Sequence, residues 1–338
     1  MKRILYIGNK LTNKNQTPTS VEIVGGLLEK EGYHLKYASS FSNKILRFLD
    51  MVFSCLKYRS SIDLVLIDTY STLNFYYACA VGFTCFLIRR PYVCILRGGN
   101  LQNRLQNSQF LSAKLFGHAR FLIAPSPFLF SVFEKAGYEQ LVYIPNSIPL
   151  ENYTHRFREQ VEAKLLWVRS FSHIYNPKMA IDVLKTLQEK GYKAALCMVG
   201  PEKDGSMAET KAYAEIQKVK VVFTGRLSKP AWHKIAEEYD IFINTTNIDN
   251  TPVSVMEAMA LGLPVVSTNV GGIPYLLTDE ENALLVPPQN TKAMVAAVEK
   301  LISEPKLAKR LSKNARAKVE TFDWEAVKGD WKKIIEAC

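Results

Sequence analysis

The chain has few residues of the kinds that build metal sites or disulfide frameworks. Its 338 residues include six cysteines and five histidines, with neither a CxxC pair nor an HExxH motif. Structural zinc sites and disulfide scaffolds rely on such closely spaced thiols and imidazoles. We therefore expect no metal site, and free thiols suited to a reducing compartment such as the cytosol.

Long apolar runs are missing as well. The most apolar stretch, residues 73–88, is broken by Asn74, Gly82 and Thr84, and it falls short of the about 20 apolar residues that a membrane-spanning helix needs. We predict a buried helix there. Residues 1–3 are followed by only a brief apolar segment, which is too short for a secretory signal, so we expect a cytoplasmic chain.

Acidic residues are scarce in the first half. The formal net charge is +11, and residues 1–150 hold 17 Lys or Arg against eight Asp or Glu, whereas the remainder holds 26 against 24. The first half should attract an anionic partner, such as nucleic acid, phospholipid or a phosphorylated substrate. A solvated basic surface explains the excess equally well. Without a recognisable helix-turn-helix, nucleic acid is not expected.

Apolar runs alternate with helical patterns along the whole chain, which is typical of a doubly wound α/β sheet. The length favours two domains, and the strand pattern restarts near residue 150. We predict strands at 3–8, 34–38, 64–70, 92–100 and 121–126, and then at 163–170, 194–200, 220–225, 241–246, 263–268 and 282–288. Besides the helix at 73–88, helices are predicted at 21–30, 179–190, 230–239, 254–261 and 322–338.

The predicted fold class is therefore α/β, with two Rossmann-like parallel-sheet domains. We expect domains at 1–148 and 149–321, followed by a helix at 322–338. Both best-known phosphate signatures of such folds, GxGxxG and the P-loop, are absent from the sequence. Phosphate recognition, if present, must use other residues.

The segment 249–274 (DNTPVSVMEAMALGLPVVSTNVGGIP) follows a predicted strand, at the edge where such sheets bind ligands. Pro252 suits the first position of a helix. The N–H groups of Val253, Ser254 and Val255 would then form an anion-binding helix start. Glu257 lies about one turn into that helix.

Two carboxylates flank this helix start, and each suits a polyol. Glu257 can accept two hydrogen bonds from a ribose diol, and Asp249 can reach a second polyol beyond the phosphates. Together they suit a nucleoside diphosphate sugar. The structural alternative is that Asp249 caps the helix and Glu257 is a solvated surface residue.

At these residues the chain resembles the retaining family 4 glycosyltransferases of the GT-B fold. The resemblance rests on Asp249 and Glu257, where the family usually has two glutamates at this spacing, and on EAMALGLPVVSTNVGG at 257–272. The segments YIPNSIPLENY (143–153), LLWVRSFSHIYNP (165–177) and NALLVPP (282–288) extend it. The second half matches well, and the first half matches mainly in its fold pattern. The resemblance implies that the two domains face a cleft and that the helix at 322–338 crosses back to the first domain.

The resemblance implies a role for each matching residue. Asp249 would bind the donor sugar near the reacting carbon, and Glu257 would bind the ribose. Arg169 would bind the diphosphate and stabilise the negative charge that grows on it as the nucleotide departs. The base would lie near Gly225 and Arg226. The sugar and diphosphate would be lined by Asn250, Thr251, Val253 and Ser254.

The sequence departs from the family pattern at three places. Tyr175 stands where the family has a lysine, so Lys178 or Arg226 would have to supply the second positive charge. Arg97, before Gly98-Gly99, stands where the family has His-Gly, and it could replace that catalytic contact to sugar or phosphate because the turn would expose it. A salt-bridged surface arginine is the alternative. The family's glycine pair before the first helix is replaced by TPTS at 17–20, where Thr19 could cap the helix and touch the diphosphate.

The segment 41–60 is very apolar, with Lys44, Arg47, Lys57 and Arg59 near its ends. This pattern indicates a helix that lies in a membrane interface, or equally a helix packed on the sheet with basic ends. With the basic first half, it suggests a lipid-linked acceptor and a peripheral position on the inner face of the cell membrane.

The resemblance implies a metal-independent, retaining glycosyltransferase that acts in surface polysaccharide or glycolipid assembly. Its donor would be a UDP- or GDP-sugar and its acceptor a glycan or lipid-linked hydroxyl, with no tightly bound cofactor. Arg169 and the helix start would replace a metal ion. Two alternatives remain: a related subunit with weakened catalysis, for which Tyr175 argues, or a nucleotide-sugar epimerase on the same fold.

Overall fold

The computed structural model describes residues 1–10, 19–97 and 100–338. The chain divides into two compact units. Unit 1 comprises Met1–Ser147 and Trp324–Cys338, and unit 2 comprises Ile148–Asp323. In these ranges, no helix is both long enough and apolar enough to cross a membrane.

Unit 1 contains a six-stranded parallel sheet in the order β2-β1-β3-β4-β5-β6. Its strands are β1 (Arg3–Ile7), β2 (His34–Ala38), β3 (Leu64–Thr69), β4 (Tyr92–Leu96), β5 (Phe121–Ala124) and β6 (Leu141–Tyr143). Its first six helices are α1 (Ser20–Lys30), α2 (Lys44–Lys57), α3 (Asn74–Leu87), α4 (Leu101–Asn107), α5 (Gln109–Gly117) and α6 (Pro127–Lys135).

Unit 2 contains a second six-stranded parallel sheet, in the order β12-β11-β10-β7-β8-β9. Its strands are β7 (Lys164–Val168), β8 (Ala195–Val199), β9 (Val222–Gly225), β10 (Ile241–Asn244), β11 (Val265–Thr268) and β12 (Leu284–Val286). Its helices are α7 (Pro177–Glu189), α8 (Ser206–Ile216), α9 (Lys229–Ala236), α10 (Val253–Ala260), α11 (Ile273–Leu276), α12 (Thr291–Ser303) and α13 (Pro305–Glu320).

The final helix, α14 (Trp324–Ala337), belongs to unit 1 although it follows unit 2 in the chain. Trp324 and Trp331 pack with Ile4 and Tyr6 of β1 on one face of the first sheet. Lys332 forms an ion pair with Glu31 at 2.5 Å. The helix therefore completes the hydrophobic core on that side of unit 1.

The inner strands β3, β4, β10 and β11 are buried on both faces, as expected for a parallel sheet covered by helices. Alternate residues of β1 enter different cores: Leu5 and Ile7 face the side of α2, α3 and α5, whereas Ile4 and Tyr6 face α1 and α14. The prediction of an α/β fold with two doubly wound parallel sheets is confirmed.

The apolar segment 73–88 differs from its prediction. It forms α3, and its inner side is buried through Phe75, Ala78 and Val81. Its outer side carries Phe83 and Leu87, each 62% exposed. The prediction of a buried helix is therefore wrong for the outer face, because apolar residues occur all round this helix and only one side meets the sheet.

Candidate functional site

The candidate site of unit 2 lies where the direction of its sheet reverses. From β7 the chain proceeds to β8 and β9 on one side, and it then returns to β10 on the other side of β7. Arg169 directly follows β7, and Asp249 lies in the loop after β10. In open α/β sheets, ligands bind at the carboxyl ends of the strands beside such a reversal.

Arg169 and Asp249 are brought together there. The Arg169 Nη2 donates to the Asp249 carboxylate, and each side chain is 12% exposed. Burial raises the pKa of the Asp249 carboxyl, while the charge of Arg169 opposes that rise. Asp249, which was expected to bind the sugar, and Arg169, which was expected to bind the diphosphate, therefore form one ion pair.

Tyr175 lies against the same guanidinium. The Arg169 Cζ is 4.0 Å from the centre of the Tyr175 ring, which is a cation–π distance. The family's lysine at this place would add a charge, whereas this tyrosine instead supports the arginine from one face. Sequence reasoning identified the substitution but not this contact, because stacking depends on the turn at His173–Tyr175.

Glycines allow the backbone of this site to pack closely. A Cβ atom on Gly271 would lie 2.2 Å from the Asp249 carbonyl oxygen, and one on Gly272 would lie 2.1 Å from that of Asn250. Gly271 also has a φ of +54°, which favours glycine. The Gly271-Gly272 pair therefore seats the loop that carries Asp249.

Helix α10 begins at Val253, one residue before the predicted range 254–261 and one residue after Pro252, which was expected at the first helical position. Pro252 is its N-cap, and the first helical residue is Val253. The Val255 N–H donates to the Pro252 carbonyl oxygen at 3.1 Å, so Val255 is wrongly assigned as a free donor. Of the three predicted donors, Val253 and Ser254 have no acceptor among the described residues, and their N–H groups can receive an anion.

Several buried polar atoms near this helix start lack a hydrogen-bond partner within the described ranges. They are the Arg169 Nε, the Thr251 Oγ1 and the Ser254 Oγ. Buried polar groups in proteins are nearly always paired. Three such atoms around one helix start indicate a polar ligand.

Glu257 is neither solvated nor free. It is 5% exposed, and its Oε1 accepts from the Tyr153 hydroxyl at 2.7 Å and from the Lys229 Nζ at 2.8 Å. Among the described residues, no group donates to its Oε2, which leaves this oxygen for a ligand. Burial raises the pKa of the Tyr153 hydroxyl, and the negative charge of Glu257 raises it further. The alternative of a solvated surface glutamate is therefore wrong.

Sequence reasoning missed Tyr153 and Lys229. Tyr153 lies within the segment 143–153, and Lys229 is the first residue of α9. Neither position is marked by a motif, because the contact joins residues that are 104 and 28 positions from Glu257. His233, whose ring centre is 4.6 Å from that of Tyr153, extends the cluster.

The remaining predicted donor-site residues are distributed around this region. Gly225 ends β9 with a φ of +67°, and Arg226 follows it. Asn250 is buried, and its N–H donates to the Asp249 Oδ1 at 2.9 Å. Lys178 forms an ion pair with Glu209 of α8 at 2.8 Å. Its contribution to diphosphate binding stays a prediction.

Arg97 in unit 1 is not exposed as expected. Its side chain is 8% exposed, its Nε lies 3.1 Å from the Asp68 Oδ1, and its Nη1 donates to Asn146 at 2.7 Å. The reason is the carboxylate at the end of the neighbouring strand β3, which draws the guanidinium inward. Arg97 is thus salt-bridged, as in the alternative, but it is buried and does not lie on the surface. A contact of Arg97 with sugar or phosphate stays a prediction. Gly98-Gly99 lie outside the described residues.

Thr19 precedes the first residue of α1 and takes its N-cap position. Its N–H and its hydroxyl both donate to the Glu22 carboxylate, at 2.7 and 2.9 Å. Residues 17–18 of the TPTS segment lie outside the described residues. The capping position agrees with the sequence pattern, while contact with a diphosphate stays a prediction.

The chain is similar to several known proteins. Residues 155–318 match the family model described as glycosyl transferases group 1. The chain is 26% identical over 154 residues to the sulfoquinovosyl transferase SQD2 of Arabidopsis thaliana, covering 44% of this chain and 29% of that protein. It is 28% identical over 141 residues to the capsular polysaccharide biosynthesis glycosyltransferase CapM of Staphylococcus aureus, covering 41% and 37%.

The chain spans about a third of the length of these two relatives. Its fold is similar along the whole chain to that of Alr3699/HepE from Anabaena, solved in complex with UDP and glucose, with a TM-score of 0.79, 16% identity and 100% coverage of both chains. At that identity the likeness concerns the fold. The family model covers residues 155–318, just under half of the chain, and the likeness along the whole chain shows a fold shared with glycosyltransferase structures.

Proposed function

We propose that the chain transfers a sugar from a nucleoside diphosphate sugar to a hydroxyl acceptor, with retention of configuration. One observation carries this proposal. The Arg169–Asp249 pair lies at the reversal of the second sheet, beside a helix start with unpartnered N–H and hydroxyl groups. A positive side chain, free helix donors and flanking carboxylates match the parts of a nucleotide sugar.

The diphosphate would lie between Arg169 and the start of α10. The N–H groups of Val253 and Ser254 and the hydroxyls of Thr251 and Ser254 would donate to its oxygens. The Arg169 Nε, which is buried without a partner, would complete a charge-assisted contact. These groups supply positive charge where the leaving group becomes more negative, so we propose transfer without a metal ion.

The two carboxylates would hold the sugars. Glu257 would accept from the ribose diol through its unoccupied Oε2, and Asp249 would accept from a hydroxyl of the donor sugar. For Asp249 this requires a partial exchange of partners, since Arg169 holds it in the unliganded chain. Donor binding would thus turn Arg169 from the carboxylate towards the diphosphate.

Retention would follow from attack on the face that the leaving group vacates. The bond between the anomeric carbon and the phosphate oxygen breaks, and a bond from that carbon to the acceptor oxygen forms. The acceptor proton passes to the departing phosphate oxygen. This route needs no separate protein base.

The donor would be a UDP- or GDP-sugar, with UDP favoured because the similar Anabaena structure contains UDP. The acceptor would be a glycan or a lipid-linked glycan in surface polysaccharide or glycolipid assembly, as the relation to the capsular protein suggests. Such an acceptor would be met at the cytoplasmic face of a membrane.

The test is a thermal-shift screen over nucleotide sugars, followed by donor cleavage and transfer assays with Arg169→Ala. Loss of one such electrostatic group should lower kcat on the order of 100- to 1000-fold, with a smaller change in KM. Arg310→Ala, an exposed arginine of α13, is the matched control. Near-normal turnover in Arg169→Ala would refute the role of Arg169.

Two measurements test the stereochemistry and the metal independence. NMR of the product should show the anomeric configuration of the donor, and activity should persist after chelation of divalent ions. An inverted product would refute retention. Stabilisation by nucleotide sugars without any cleavage or transfer would instead favour a subunit with weakened catalysis.

A further inference from the structure

Three helices of unit 1 lie side by side on one face of its sheet. Phe48 of α2 and Tyr77 of α3 have ring centres 5.5 Å apart, and Phe86 of α3 lies 4.7 Å from the ring of His118, just after α5. Gly82 permits the second contact, since a Cβ there would lie 2.8 Å from Leu115 of α5. The outer sides of α2, α3 and α5 therefore adjoin, and we call them the three-helix face.

Helix α2 is apolar on the side away from the core. Leu46, Leu49, Phe53 and Leu56 are 44–62% exposed, and their spacing of three and four residues puts them on one side of the helix. Cys55 is buried and lies on the opposite side. A surface helix of a globular protein normally has polar residues where this helix has leucine and phenylalanine.

The other two helices continue this apolar surface. Phe83 and Phe86 of α3 are 62% and 53% exposed, and Phe110 of α5 is 73% exposed. With Phe53, these rings leave roughly 400–600 Å² accessible, at about 150–250 Å² for each aromatic side chain. Exposed apolar area of that size is at the upper end of what monomeric proteins show, and patches of this size are often functional.

The segment that contains the three helices is strongly positive. Residues 41–120 contain ten Lys or Arg and three Asp. Asp63 and Asp68 are already paired with Arg3 and Arg97. A second copy of the chain would bring positive charge against positive charge, whereas an anionic bilayer offers both a hydrocarbon interior and a complementary surface.

We propose that the three-helix face inserts its leucine and phenylalanine side chains into the interface of an anionic lipid bilayer. The helices would lie in the plane of the membrane, with the basic residues at the level of the headgroups. The inference deepens the proposed function and rests on it for the acceptor, but vesicle binding can be measured without sugar transfer.

Insertion predicts a salt response different from that of charge attraction alone. Raising the salt from physiological to about 1 M shortens the Debye length from about 8 Å to about 3 Å, which screens surface charges. Apolar burial persists under those conditions. Binding to anionic vesicles should therefore weaken with salt without disappearing.

The experiment is flotation of the full chain with phosphatidylglycerol–phosphatidylcholine vesicles and with phosphatidylcholine vesicles alone. The wild type should float with the anionic vesicles. In the triple variant Phe53→Gln, Phe83→Gln, Phe86→Gln, the vesicle partition coefficient should fall by more than about tenfold, since full burial of each phenylalanine contributes a factor of about ten or more. Ile216→Gln, which alters a residue 72% exposed on α8, is the matched control and should float like the wild type.

A second measurement covers the case in which the triple variant fails to fold. Lipids brominated in their acyl chains should quench the fluorescence of the tryptophan in Phe86→Trp, and they should not quench that of the tryptophan in Ile216→Trp. Absence of flotation by the wild type, or equal quenching of the two tryptophan variants, would overturn the proposal. A wild-type dimer that the triple variant converts to a monomer, without vesicle binding, would assign the face to self-association instead.

Discussion

Replacing Glu257 separates its part in binding from its part in stability. The carboxylate is buried, and its Oε1 holds Tyr153 and Lys229. In Glu257→Gln the amide oxygen still accepts from both donors, so most of the local packing should survive. In Glu257→Ala the buried Tyr153 hydroxyl loses its acceptor, while Lys229, with 27% of its side chain exposed, can turn to water.

The expected magnitudes follow from these contacts. Leaving the Tyr153 hydroxyl unsatisfied costs about 1–3 kcal/mol of unfolding free energy, and Glu257→Gln should cost about 1 kcal/mol or less. Loss of charge-assisted hydrogen bonds to a ribose diol costs about 1.5–3 kcal/mol for each bond. A loss of about 3 kcal/mol corresponds to roughly a 100-fold weaker dissociation constant.

The assay pairs urea unfolding with calorimetric titration of UDP, for Glu257→Gln, Glu257→Ala and Tyr153→Phe. Glu257→Gln should bind UDP much more weakly than the wild type and unfold nearly like it. Tyr153→Phe should bind UDP with only a modest loss, since the carboxylate remains. If Glu257→Gln binds UDP with wild-type affinity, then Glu257 does not contact the ribose and serves stability alone.

Three further outcomes are expected. Tyr175→Leu should slow single-turnover donor cleavage about 2- to 30-fold, because a cation–π contact of about 0.5–2 kcal/mol supports Arg169. Tyr175→Phe should cleave the donor at the wild-type rate. Equal rates in the wild type and both variants would contradict a supporting role of the Tyr175 ring. Gly271→Ala should weaken UDP binding in calorimetry, because its Cβ would collide with the Asp249 carbonyl oxygen. Gly137→Ala, with a φ of +86° and open space around it, should lose stability from backbone strain but bind UDP normally. Equal UDP affinity in both variants would exclude the collision. Burial lowers the pKa of His233, so the unfolded chain takes up a proton at a higher pH than the folded chain does, and the free energy of unfolding decreases as the pH falls below about 6.5. In His233→Gln, the free energy of unfolding measured with urea should depend less on pH between about pH 7 and 5. An unchanged pH dependence would exclude His233 as the cause.

The sequence predicts the sheets well because buried parallel strands are continuous apolar runs. The runs at 64–70 and 241–246 became β3 and β10 with small changes of length. The pairing order of the strands is not contained in such runs, since it depends on contacts between distant residues. The reversal beside β7, which positions the candidate site, therefore needed the structure.

Single residues were harder to predict wherever a side chain could choose between water and a partner. Arg97 was expected to face solvent, but a buried carboxylate on the neighbouring strand binds it. Glu257 was assigned to a ligand from its place in the helix, yet its contacts with Tyr153 and Lys229 came from other elements. Helical periodicity locates a position on a face, and only tertiary packing decides what that face meets.

The position of α14 has a consequence for the order in which the chain can fold. Unit 1 needs Trp324 and Trp331 to cover one side of its sheet, and these residues are synthesised only after the whole of unit 2. Until then, Ile4 and Tyr6 on that side have their neighbours from α1 but lack those from α14. Unit 2, whose residues 148–323 are continuous in sequence, can fold during synthesis, while the first unit to leave the ribosome is the last to be completed.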